Sequence, residues 1–149
     1  SLSSIRLSEE IKSLDVMLKL MTDGVEILES IPDKEKNDPL LYLINLGKFI
    51  CCTLKTTINN KNWYVLTSKL KIESNRDEIR GLIAQIEALA HKEIENAKEA
   101  LPLVECDSRL GWEPSMEYMC DPEHIRWKLR QMQYMLDIEL LSFKKGVEK

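Results

Sequence analysis

Apolar residues in this chain recur at alternating steps of three and four, and that spacing constrains the fold more than any other feature. Ile11, Leu14, Leu18, Met21, Val25 and Leu28 follow it, which lines them along one face of an α-helix and matches no face of a strand. Ser8 is placed to cap this helix, with Glu9 and Glu10 in the first turn where negative charge is favoured. From Ser30 to Asn37 charge and Pro32 break the pattern, and the segment reads as a connecting loop.

Asp38-Pro39 restarts the helical pattern, with aspartate as N-cap and proline at the first helical position, where a missing N–H costs nothing. The run from Leu40 to Leu54, including Ile44, Phe49, Ile50, Cys51 and Cys52, is apolar nearly all round and predicts the most buried helix. Asn59-Asn60 is a candidate break before a stretch carrying Trp63, Leu66 and Leu70. Ser74 with Asp77 fits a capping box for a third helix. Its stripe is Ile79, Leu82, Ile86, Leu89, Ile94, Ala97 and Leu101, ended or kinked at Pro102. Asp121-Pro122 repeats the cap-and-proline device for a last helix striped by Ile125, Leu129, Met132, Leu136, Leu140 and Phe143, with Gly146 as C′ residue. A second apolar line on that helix, Trp127, Tyr134, Ile138 and Leu141, predicts neighbours on two sides.

These segments predict an all-α fold, a single-domain up-and-down four-helix bundle over residues 1–149 with a long loop between helices three and four. Composition agrees. Five glycines and five prolines in 149 residues fall below the usual share of about 12 % and argue against a turn-rich β-sandwich. A net charge of −4 gives no electrostatic reason to bind nucleic acid, and no apolar run approaches the roughly 20 residues of a membrane span. Ser1-Leu2-Ser3-Ser4 reads as the start of a piece cut from something longer, so the missing signal segment leaves the compartment open. A cysteine content typical of reduced helical proteins tilts it towards the cytoplasm.

Familiar catalytic spacings do not occur: the glycines are isolated and the two histidines, His91 and His124, are far apart. A di-iron bundle uses Glu-x-x-His pairs. Glu87 and His91 are four apart instead, and Asp121, the possible mate of His124, is needed as a cap, so neither metal nor cofactor is expected. Adjacent Cys51 and Cys52 point about 100° apart on a helix and read as small core residues. Cys106 and Cys120 bracket the long loop, and both a disulfide and a reduced pair are open for them.

That loop holds the densest chemistry in the chain. Asp107, Arg109, Trp112, Glu113, Glu117 and Tyr118 lie within twelve residues. In a functional reading the two aromatic faces and the charged groups suit a sugar ring and its hydroxyls. In a structural reading Trp112 plugs the bundle end, Arg109 pairs with Asp107 or Glu113, and Gly111 supplies a turn. Glu113 and Glu117 are candidates for a glycosidase pair, for which a small bundle offers little cleft.

The stretch Glu99-Ala100-Leu101-Pro102-Leu103-Val104-Glu105, continuing through Asp107-Ser108-Arg109-Leu110-Gly111-Trp112-Glu113-Pro114 to Lys128, resembles the C-terminal helical region of large bacterial proteins of glycoside-hydrolase type. The resemblance implies a non-catalytic accessory module that follows a catalytic (β/α) barrel in the same polypeptide. The 107–118 loop would lie near a sugar site or the domain interface, with that catalytic domain and carbohydrate as partners. No catalytic residue carries over to this region. The alternative is a free-standing helical interaction or dimerisation module, motivated by the doubly apolar last helix.

Overall fold

The computed structural model describes residues 2–110 and 120–148, with side chains from Ile5 onward. Among them the regular structure is entirely helical: α1 (Leu2–Glu29), a short 3₁₀ turn (Lys34–Lys36), α2 (Asp38–Leu70), α3 (Arg76–Cys106) and α4 (Pro122–Tyr134). The last of these continues through a π-helical segment (Met135–Leu140) into α5 (Leu141–Val147). Residues 134, 135, 140 and 141 all keep right-handed helical torsions, so 122–147 is one uninterrupted fourth helix.

Ion pairs between helices show the up-and-down order. Glu10 meets Lys61 and Glu29 meets Lys48 between α1 and α2, while Lys55 meets Glu99 between α2 and α3. Glu87 meets Lys144, and Glu105 meets Arg126, between α3 and the fourth helix. Between α2 and α3 a hydrogen bond from Asn59 to Glu93 gives the second point, so in each set the numbers rise on one helix as they fall on the next, which is antiparallel packing. Most of these pairs are solvated and add little stability individually; their value here is as markers of register.

Each helix packs on the next in the chain. The core is therefore built on α2, α3 and the fourth helix. One cluster joins Cys52, Ala97, Ala100, Val104, Leu110 and Ile125; a second joins Ile83, Ile86, Ala90, Ile94, Leu136 and Leu140, with Trp63 and Leu66 against it. α1 lies on the outer side of α2, and among its described side chains only Val25 is buried. There Val25 seats against Gly47, whose missing side chain lets the two helices approach: a Cβ at Gly47 would lie 2.6 Å from Val25 Cγ2.

Several local expectations change. α1 begins at Leu2, not at Ser8, because good helix formers upstream of the serine extend it. Asn37, not Asp38, caps α2, accepting from the Leu40 N–H at 3.1 Å, and Pro39 falls at the second helical position. Asn59 and Asn60 do not break α2, since Asn59 is held by a carboxylate on α3. Asn75 caps α3 in place of Ser74, accepting from the N–H groups of Asp77 and Glu78. Pro102 sits inside α3, which runs four residues past it. The most buried helix is α3, with eleven buried residues against seven on α2, because α1 covers its neighbour loosely.

Asp121 does cap the fourth helix, accepting from the His124 N–H at 2.9 Å. Gly146 lies within α5, not beyond it. The π-helical segment inserts extra residues per turn, so the stripe slips in register after Leu140. Val147 packs on α3 in place of Phe143, which is exposed.

Candidate functional site

The root of the 107–118 loop is pinned by its own residues. Asp107 leaves α3 in an extended conformation and its carboxylate accepts a fork of two hydrogen bonds from Arg109, at 2.8 Å from Nε and 2.9 Å from Nη2. The Arg109 backbone N–H donates to the same carboxylate at 3.0 Å, and the Leu110 N–H closes the turn onto the Asp107 carbonyl. This fork holds the Asp107 carboxyl below the ordinary aspartate range and raises Arg109. Arg109 Cζ also lies 4.6 Å from the centre of the Tyr42 ring. The turn delivers Leu110 into the core between α3 and α4. Asp107 and Arg109 thus pair with each other at the root of the loop. Trp112, Glu113, Glu117 and Tyr118 lie outside the described residues.

A second polar centre escaped the sequence reading. Glu93 is buried on α3 and accepts hydrogen bonds from Thr56 Oγ1 at 2.5 Å and Asn59 Nδ2 at 2.6 Å, both on α2. Lys128 of α4 closes an ion pair on it. Asn96, one turn on, donates from Nδ2 to the Cys52 carbonyl and to Thr56 Oγ1, each at 2.9 Å. A carbonyl only accepts, so the amide must face it this way round; Asn96 Oδ1 is left buried with no partner. Three helices meet at one carboxylate here, an arrangement that fixes register more than it adds stability. The sequence held one sign of it: the α3 stripe jumps from Leu89 to Ile94, and Glu93 fills the missing step.

Because the helices pack in chain order, shallow grooves open between alternate ones. One of about 430 Å³ runs between α2 and the fourth helix, with Glu93 and Lys128 at its base and Trp63, Met132, Tyr134 and Met135 on its walls. On the opposite face, α1 and α3 flank a groove over α2 in two parts of about 480 and 520 Å³.

The second apolar line of the fourth helix, from which Tyr134 borders the first groove, is not covered among the described residues. Trp127 is 57 % exposed, Tyr134 54 % and Ile138 53 %, with Leu141 and Phe143 beside them. The line is spaced by seven and four, opposite the buried stripe of Ile125 and Leu136. α1 repeats the pattern: Val16, Leu20 and Ile27 lie exposed on the side away from Val25. Large apolar residues in rows, unlike single ones, mark docking surfaces.

Among the cysteines, Cys51 and Cys52 are buried as expected, and burial pushes the Cys52 thiol up to about 11. Cys106 is an exposed free thiol, so the bridge to Cys120 is not formed. His124 Nδ1 lies 2.8 Å from Asp121 Oδ2, and the same carboxylate caps α4. Among the described residues no group of three or more histidine, cysteine or acidic side chains converges on a metal position. No described helix is long and apolar enough to cross a membrane. Comparison with family models, with curated proteins and with solved structures returned no match.

Proposed function

We propose that this chain is a non-catalytic helical interaction module that docks a partner helix on its fourth helix. One observation carries the reading: Trp127, Tyr134 and Ile138, each more than half exposed, lie along one side of a helix whose other side packs on α3. Partner helices are recognised through such rows of anchors spaced at i, i+3, i+4 and i+7. The polar centre at Glu93 supports it by holding the helix rigidly against α2 and α3, since a docking surface on a fixed scaffold loses less entropy on binding.

The test is site-specific photo-crosslinking in source cells. A crosslinker at position 127 or 138 is expected to give one defined protein adduct, while the same group at exposed Glu35, in the α1–α2 connection, gives none. Equal yields at all three positions, or none at any, would overturn the reading.

One observation favours a second reading, the helical accessory domain of a carbohydrate-active protein. The Arg109 side chain, 72 % exposed and lying over Tyr42, forms a ledge where the loop departs. In this reading the 107–118 loop helps to form a sugar site or an interface with a catalytic domain. Alanine at Trp112 or Glu113 then lowers the parent's activity while the helical spectrum is unchanged; unaltered activity removes this reading.

A further inference from the structure

The charges beside the apolar line indicate which helix it takes. Arg130 and Asp137 are both exposed and lie seven positions apart, so they share one flank of the line. Gln131, seven before Ile138, lies on the line itself, and Glu139 lies on the other flank; both border the groove towards α2. Arg130 makes no ion pair among the described residues, and Asp137 accepts only a hydrogen bond from Gln133, at 2.9 Å. This flank therefore carries a free basic group, Arg130, before Tyr134 and an acidic one, Asp137, after it.

A helix with that order of charges complements its own reverse. In antiparallel helices like flanks face like flanks, so Arg130 of one copy comes beside Asp137 of the other, twice, by symmetry. The same reversal, centred on Tyr134, brings the Tyr134 rings together. In a parallel pair opposite flanks face each other, so Arg130 and Asp137 would not meet. The fourth helix spans about 39 Å, long enough for this contact to use both halves.

Resting on the docking role proposed above, we infer that the partner is a second copy of this chain, joined through an antiparallel pair of fourth helices with Tyr134 at the two-fold axis.

Light scattering on the purified chain across a concentration series tests this, with circular dichroism as the control for folding. The wild-type mass is expected to rise from 17.3 kDa towards twice that value. Arg130→Glu and Asp137→Arg should each weaken association about tenfold, and the two together should restore it, because the reversed pair is again complementary. Ile138→Asp should leave a monomer. These positions are exposed, so the variants are expected to fold. A mass of 17.3 kDa at every concentration, or a dimer indifferent to the charge reversals, overturns the inference. If the protein is monomeric yet crosslinks at positions 127 and 138 to a different polypeptide, the dimer fails and the docking role stands. A monomer that gives no crosslink removes both.

Discussion

Replacing Gly47 with alanine measures how closely α1 is seated on α2. In an isolated helix this change is favourable by about 1 kcal/mol. Here the new Cβ would stand 2.6 Å from Val25 Cγ2, well inside contact distance. Valine in a helix has one strongly preferred rotamer, so Val25 cannot swing aside cheaply. Overpacking of this kind costs about 1–3 kcal/mol. The two effects together leave Gly47→Ala neutral to about 2 kcal/mol destabilising, a fall in melting temperature of up to about 8 °C for a chain of this size. In a Val25→Ala background the obstruction is gone and only the propensity remains, so the same substitution should stabilise by about 1 kcal/mol. Urea unfolding of the four proteins, compared at constant slope, reads both numbers. A stabilising Gly47→Ala in the wild type, or additive effects in the double variant, would refute the close seating of Val25 on Gly47.

Lys128→Met should cost about 3 kcal/mol in urea unfolding, because it leaves Glu93 buried without its cation; adding Glu93→Gln should recover most of the loss. A loss below about 0.5 kcal/mol, the size of an ordinary surface change, would show that the pair holds nothing. Asp121 sits below its ordinary range because the His124 N–H and imidazole bond its carboxylate. Its contribution is complete above the unfolded value of about 3.9 and is lost as pH falls through the lower folded value. The stability difference between wild type and Asp121→Asn, which keeps a capping oxygen but does not titrate, should therefore shrink below about pH 4; a constant difference contradicts this. Thiol labelling at pH 8 should modify exposed Cys106 long before Cys52, whose pKa near 11 leaves about one part in a thousand as thiolate. Labelling of Cys52 at the same rate would mean that the α2–α3 seam opens readily.

The fold was legible because apolar spacing reports helices directly, and Asp121-Pro122 marked a true start. Other boundaries slipped for local reasons. Asn37 and Asp38 are both good caps one residue apart, and Ser74 and Asn75 are another such pair; the side chain that reaches the free N–H groups decides. The π-helical segment left no mark in the sequence, and beyond it Phe143 is exposed while Val147 packs on α3. At the loop, the Asp107–Arg109 pair was readable from proximity, whereas Glu93 looked like one more surface acid until three helices were seen to enclose it. The second line on the fourth helix was read correctly as apolar and wrongly as covered. Periodicity says which residues share a face; it does not say whether anything lies against that face.

The central claim is that the line of Trp127, Tyr134 and Ile138 is covered by protein in the cell. Hydroxyl-radical footprinting in intact source cells and on dilute purified protein tests it most directly, with Tyr64, 65 % exposed on α2, as the internal reference. Oxidation of Trp127 and Tyr134 relative to Tyr64 should fall several-fold in cells compared with the dilute chain. Equal ratios in the two settings would mean that the line faces solvent and is no docking surface.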